Sequence, residues 1–261
     1  MAIPRLQLFE LEDLPWFPRA IRDPATNHLQ FMEKRLALHE PIVPLVRDAL
    51  ERSKARRVVD LCSGAAGCVA SVHEALAGDG ISLPLTLTDK YPNLLAFRCC
   101  SALHPSGVFY VEDSVDATAV PQDFKGMRTM FNAFHHFAPE SARRVLRCAV
   151  EAQQPIAIFE IPERSWATIF PLLFTPIFVA LATPFIRPFQ WRLLWTYLIP
   201  LVPVTSWWDG VVSQLRAYTC REILELAQEF GDYEWRAGRV AIRGKLGHVT
   251  YPLGNPKPEA A

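Results

Sequence analysis

Between residues 57 and 161, short apolar runs alternate with longer amphipathic ones, and that alternation narrows the fold more than any other property of the chain. The runs at 57–61, 83–88, 108–111, 127–132 and 155–161 are strand-length and apolar. Helical spacing fills the gaps: Val69, Val72 and Leu76 share one face of 67–77, Asn93 is placed to cap the next helix, and 139–152 supplies another. Such alternation predicts a doubly wound, mostly parallel α/β sheet covered on both faces. Ligands of open sheets of this kind bind beyond the carboxyl ends of the strands. The residues to weigh are therefore 60–67, Asp89, 113–117, 132–136 and 160–163.

The flanks divide the chain further. Residues 1–55 read as an arm, with Trp16 and Phe17 needing burial, and two helices near 28–39 and 41–54. Residues 56–162 form the α/β core, 163–208 a hydrophobic insertion and 209–254 the end of the core. Thr219 with Glu222 three residues on forms a capping box. Two last strands, near 233–243 and 246–252, form an antiparallel hairpin around Gly244-Lys245.

The insertion is distinctive. Residues 166–186 contain no charge, and 193–208 is again strongly apolar. Its length would license a membrane span, but prolines interrupt it at 171, 176, 184, 200 and 203. Arg187 and Arg192 sit in the linking segment 187–192. Three readings stand open: a helical cap over a hydrophobic substrate, a cap that also touches a membrane surface through 166–208, and a two-pass span.

Charge and cysteines exclude several classes. The 27 basic residues balance 27 acidic ones, so a sequence-independent nucleic-acid binder is not expected. The basic run at 52–57 reads as a solvated helix end. Six cysteines show no metal-ligand spacing and the start carries no signal peptide, so a cytoplasmic setting with free thiols is expected. No His/Cys/Asp cluster has ligand spacing, and no metal is expected.

The chemistry concentrates in Val58-Val59-Asp60-Leu61-Cys62-Ser63-Gly64-Ala65-Ala66-Gly67. Small residues allow close approach of a ligand to the backbone, and a helix start follows. An acidic residue closing the second strand, Asp89, can accept hydrogen bonds from ribose hydroxyls. Two cofactors meet that description: a dinucleotide, whose pyrophosphate needs GxGxxG, and S-adenosylmethionine, which has no phosphate. Cys62 and Ala66 break GxGxxG. Asp60 can meet a cationic amino group, and Asp116 an exocyclic amine.

With these residues the chain resembles the class I S-adenosylmethionine-dependent methyltransferases, over about 56–162 and 206–253. Residues 58–67 resemble their first motif, 85–90 the second and Asp116-Ala117 the third. Met130-Phe131-Asn132-Ala133-Phe134-His135-His136-Phe137 is similar to their fourth strand end. The resemblance implies a seven-stranded Rossmann-like sheet with an antiparallel last strand. It implies S-adenosyl-L-methionine as cofactor, held by Asp60, Cys62, Gly64, Asp89, Asp116, Ala117 and Asn132.

His135, His136 and Glu160 are the candidate catalytic groups, as proton acceptors or substrate contacts. Asp209 and Arg216 read as an ion pair within the cap. The expected function is O- or C-methylation of a hydrophobic small molecule or lipid. Two rivals are an NAD(P)-dependent oxidoreductase, which shares the loop and Asp89, and a non-catalytic membrane-associated binding protein.

Overall fold

A computed structural model describes residues 3–186 and 195–257. The linking segment 187–192, with both its arginines, lies outside the described residues.

Helices α1 (Arg19–Arg35) and α2 (Val43–Ser53) precede strand β1 (Val58–Leu61). The core continues through α3 (Gly67–Gly78), β2 (Leu85–Leu87), α4 (Leu94–Leu103), β3 (Val108–Tyr110), β4 (Met127–Phe131), α5 (Pro139–Glu151) and β5 (Ile156–Phe159). Then come α6 (Trp166–Ile169), α7 (Thr175–Ala182), α8 (Leu201–Arg216), α9 (Cys220–Ala227), β6 (Tyr233–Ala241) and β7 (His248–Pro256). The first helix begins nine residues ahead of the expected one because 19–27 also buries side chains, Arg22, Pro24 and Ala25.

One seven-stranded sheet runs in the order β3-β2-β1-β4-β5-β7-β6. Strands β1 to β5 pair in parallel, whereas β7 is antiparallel to both β5 and β6. This is the doubly wound sheet with its antiparallel last strand that the resemblance implied. It departs from the dinucleotide-binding order 3-2-1-4-5-6 by the insertion of β7 next to β5.

Strand periodicity sorts β1 between two cores. Val58 packs with α2, α3 and α4 on one face, and Val59 and Leu61 with α5 and α9 on the other. The α5 residues Ala142, Val145, Leu146 and Ala149, at i, i+3, i+4 and i+7, form the stripe that covers this second face. Helix starts follow the sequence signals. The Asn93 side chain accepts from Ala96 N–H, and Thr219 and Glu222 form a complete capping box.

The arm runs along the molecule to the strand ends. Leu6 N–H donates to Leu215 C=O, and the Arg5 guanidinium lies 3.9 Å above the Tyr218 ring. Phe17 is buried, but Trp16 is not: 71% of it remains exposed, with only an edge-on contact to the Phe17 ring.

The described parts of the insertion are largely helical. Val179 of α7 packs with Ala25 of α1 and Val202 of α8, tying it to the core. Residues 166–185 form a 20-residue apolar segment, long enough to cross a membrane by length and composition, of which only 17% is buried. It is broken into short helical pieces, as its prolines require. The second apolar run largely becomes the first half of α8, an amphipathic helix that buries Val202, Pro203 and Thr205. Helix α8 runs unbroken from 201 to 216, across position 208.

Candidate active site

Strand β1 ends at Leu61, and the chain then turns through three left-handed residues, Cys62 (φ 57°), Gly64 (φ 52°) and Ala66 (φ 60°), into α3. Only small side chains occupy this loop, consistent with close approach of a ligand. Asp89, just past β2, fixes it: one carboxylate oxygen accepts from Gly64 N–H at 2.8 Å and the other from Tyr91 N–H at 2.7 Å. Burial raises the Asp89 pKa despite these bonds.

The loop forms one wall of a cavity of about 300 Å³ at the carboxyl ends of β1, β2 and β4. That volume is at the small end of ligand sites. Every cofactor-binding candidate named from the sequence lines it: Asp60, Cys62, Gly64, Asp89, Asp116, Ala117 and Asn132. Asp116, rather than Asp113, is the acid after β3 that reaches it. Burial works against its ionisation, but bonds from Thr118 and Lys90 win and hold its pKa below the usual value.

Asp60 is deeper than a direct ligand contact requires. It is 1% exposed, and its oxygens accept from Ser63 Oγ and Thr129 Oγ1, each at 2.7 Å. Burial pushes its pKa up to about 7 against those hydrogen bonds.

The opposite wall is one the sequence did not announce. It comes from the arm (Glu12, Asp13) and from α1 (Arg22, Asp23, Thr26, Gln30, Glu33). Helix α1 lies so close to the loop that a Cβ on Gly67 would stand 2.7 Å from Gln30 Cγ and from Glu33 Oε2. Glu33 is buried at the start of α3. Its carboxylate accepts from Cys68 N–H and, at 2.6 Å, from Asn132 Nδ2, and burial still pushes its pKa up to about 7. The helix N-terminus that receives pyrophosphate in dinucleotide folds is thus occupied by the chain's own carboxylate. No described residue of the 163–208 insertion lines the cavity.

The catalytic candidates separate. His136 lines the cavity; His135 and Glu160 do not. Glu160 is 1% exposed and fully engaged, accepting from Ala133 N–H and Phe134 N–H at 2.8 Å and lying 2.6 Å from His135 Nδ1. Burial alone would raise its pKa, but His135 and the backbone donors lower it. It secures the turn after β4 and presents no free oxygen to an acceptor.

His136 sits among Asp13 (Nδ1 to Oδ1, 2.8 Å), Glu10 (3.3 Å) and Glu12 (3.9 Å). Burial disfavours its charge, yet these carboxylates push its pKa up to about 10, which removes it as a proton acceptor at neutral pH. Asp209 and Arg216 do not pair with each other as expected. Asp209 accepts from Leu11 and Glu12 N–H, and Arg216 meets Glu10 and Asp13. Both hold the arm, so their role is in the wall. Glu163 meets Arg239 and His248, outside the cavity lining.

No protein-family model matches the chain, and no curated protein does. Solved structures do match. An O-methyltransferase family protein from Burkholderia thailandensis is 17% identical over 88% of this chain and 59% of its own, with a TM-score of 0.49. The magnesium protoporphyrin IX methyltransferase of Synechocystis, solved with S-adenosylhomocysteine, is 10% identical over 85% of each chain (TM-score 0.48). A Rhodobacter sphaeroides structure assigned to the zinc-dependent alcohol dehydrogenases is 14% identical over 80% of this chain and 88% of its own (TM-score 0.48). The chain spans about half the length of several of the proteins it matches, between 43% and 59%. At such identities and scores, cofactor and reaction must be argued from the residues above.

Proposed function

We propose that the chain is an S-adenosylmethionine-dependent methyltransferase acting on a hydrophobic small molecule or lipid. One observation carries this reading: Glu33 occupies the anion site at the α3 N-terminus, in a cavity where carboxylates outnumber cations. Glu12, Asp13, Asp23, Glu33, Asp60, Asp89 and Asp116 line the cavity against Arg22, Lys90 and His136. With the Glu33 and Asp60 pKa values raised to about 7, a ligand bearing a sulfonium and an ammonium would draw both into the ionised form, whereas a pyrophosphate would not. The antiparallel β7 also counts against a dinucleotide enzyme.

In this reading Asp89 holds the ribose hydroxyls, Asp116 the adenine amine, and Asp60 and Glu33 supply the charge that faces the ammonium. S-adenosylmethionine would supply an electrophilic methyl group, which leaves sulfur for an acceptor oxygen or carbon while the acceptor loses a proton. With His135, His136 and Glu160 committed to structural partners, the chain's contribution is to hold the two reactants in line and to exclude water. The arm and α1 form the roof that does so.

A hydrophobic or lipid acceptor is supported by the insertion, where Phe170, Leu181 and Phe185, outside the cavity lining, are each more than 60% exposed. An apolar face of this size suits peripheral contact with a membrane surface. All six cysteines are free thiols, which fits a reducing compartment such as the cytoplasm.

Calorimetric titration of the wild-type protein with S-adenosylhomocysteine, beside NAD, tests the assignment. Binding of the first and not the second is expected. Heat from NAD alone, or from neither ligand, would overturn it.

A further inference from the structure

Behind the cavity wall, Glu10, His135 and His136 each offer one donor atom, and the three lie within 4.8 Å of one another. We propose that these residues form a zinc-binding site that pins the arm to the turn after β4. It is independent of the methyltransferase reading.

The first support is an unmet polar demand. Glu10 is wholly buried and His135 is 2% exposed, yet neither Glu10 oxygen nor His135 Nε2 makes a hydrogen bond. A buried carboxylate without hydrogen bonds is costly unless a cation answers it. Arg216 supplies part of the answer, with Nη1 3.2 Å from Glu10 Oε1, but the same nitrogen also serves Asp13 at 2.7 Å; His136 Nδ1, 3.3 Å from Glu10 Oε2, supplies the rest while it is protonated, and a zinc ion would take the place of that proton. Nothing among the described residues donates to His135 Nε2 or accepts from it.

The second support is spacing. Ligands of a tetrahedral zinc at ordinary bond lengths stand about 3.3 Å apart. The two Glu10 oxygens lie 3.3 Å (Oε2) from His136 Nδ1 and 3.8 Å (Oε1) from His135 Nε2, and one donor atom from each of the three residues falls within 4.8 Å of the others, so the set needs to draw in slightly around the ion. Asp13 Oδ1, 2.8 Å from His136 Nδ1, or a water would take the fourth position.

The third support is the outer shell. His135 Nδ1 lies 2.6 Å from Glu160 Oε2, and Glu160 is itself held by two backbone N–H groups. A carboxylate on the far nitrogen of an imidazole fixes its ring and leaves the other nitrogen to the metal. Two imidazoles and a carboxylate suit zinc better than magnesium or calcium, which prefer oxygen donors. Ligand spacing in the sequence could not reveal the set, because Glu10 belongs to the arm and the histidines to the end of β4.

Metal analysis of the purified protein, dialysed against a chelator and reloaded with zinc, decides the matter. About one zinc per chain that survives further dialysis is expected, with a higher melting temperature than the chelated form. Glu10→Gln and His135→Asn should lose that zinc, while His104→Ala, outside the cluster, keeps it. Circular dichroism identifies a variant that has failed to fold. Should the variants fail, titration of the chelated wild-type protein with cobalt reads the same site through the absorption of tetrahedral cobalt–imidazole coordination. Wild-type protein that takes up no stoichiometric zinc or cobalt, or zinc retained in a folded Glu10→Gln variant, overturns the proposal.

Discussion

Glu33 shows how far a single side chain can redirect a binding site. A helix N-terminus beside a small-residue loop ordinarily invites an anion. Here the invitation is already answered from α1. The arrangement has a pH signature. Burial raises the Glu33 pKa from 4.5 to about 7, so between those values the unfolded chain has released a proton that the folded one keeps. Stability therefore falls as pH rises through that window, by roughly 3 kcal/mol at most for this group. Glu33→Gln removes this contribution. Urea midpoints at about pH 5 and about pH 7.5 should differ less in the variant than in the wild type. Equal differences would show that Glu33 ionises normally. Asp60, raised for the same reason, contributes in the same direction in both proteins.

At the scale of elements, the contact between α1 and the start of α3 controls the cavity. Gly67→Ala places a methyl group against Gln30 Cα at 2.9 Å as well as the two side-chain atoms at 2.7 Å. Backbone cannot yield as a flexible side chain does, so α1 must shift, at a cost of about 1–3 kcal/mol. Thermal melting should fall accordingly, and S-adenosylhomocysteine affinity should weaken with it because α1 supplies most of the wall opposite the loop. Gly64→Ala is the contrast: nothing stands within 4 Å, and only its positive φ resists the substitution. It should cost about 1 kcal/mol.

The same scale explains what the sequence disclosed. The strands, the capping box, Asp89 and Asp116 were legible because their signals are local: a periodicity, a spacing, a strand end. The wall formed by Glu12, Asp13 and Glu33 was not, since nothing in a helical or arm carboxylate foretells burial. The His135–Glu160 pairing lay between these extremes. Both were picked out as isolated proton acceptors, whereas the neighbouring positions of β4 and β5, with Phe131 beside Phe159, bring the two following segments together. Strand order, once suspected, implied that contact.

For the molecule as a whole, the insertion is an apolar surface that the described residues leave uncovered. Trp166, Phe170, Leu181 and Phe185 remain exposed although Val179 is anchored. Flotation with liposomes should carry the wild-type chain upward, and a triple variant Phe170→Ser, Leu181→Ser, Phe185→Ser should stay behind with an unchanged melting temperature. Equal flotation of the two, or none by the wild type, removes this face as a membrane contact.

The arm has a consequence for biosynthesis. Leu6 pairs with Leu215, and Arg5 donates to Arg216 C=O. A ribosome delivers the roof before the sheet, but its seat on α8 emerges only after β1 to β5. During translation the carboxylates of the arm stay in water while the strands assemble beneath them. A finished ligand chamber therefore marks a chain synthesised at least as far as α8, and a truncated product ending before it would carry the loop and Asp89 without an enclosure.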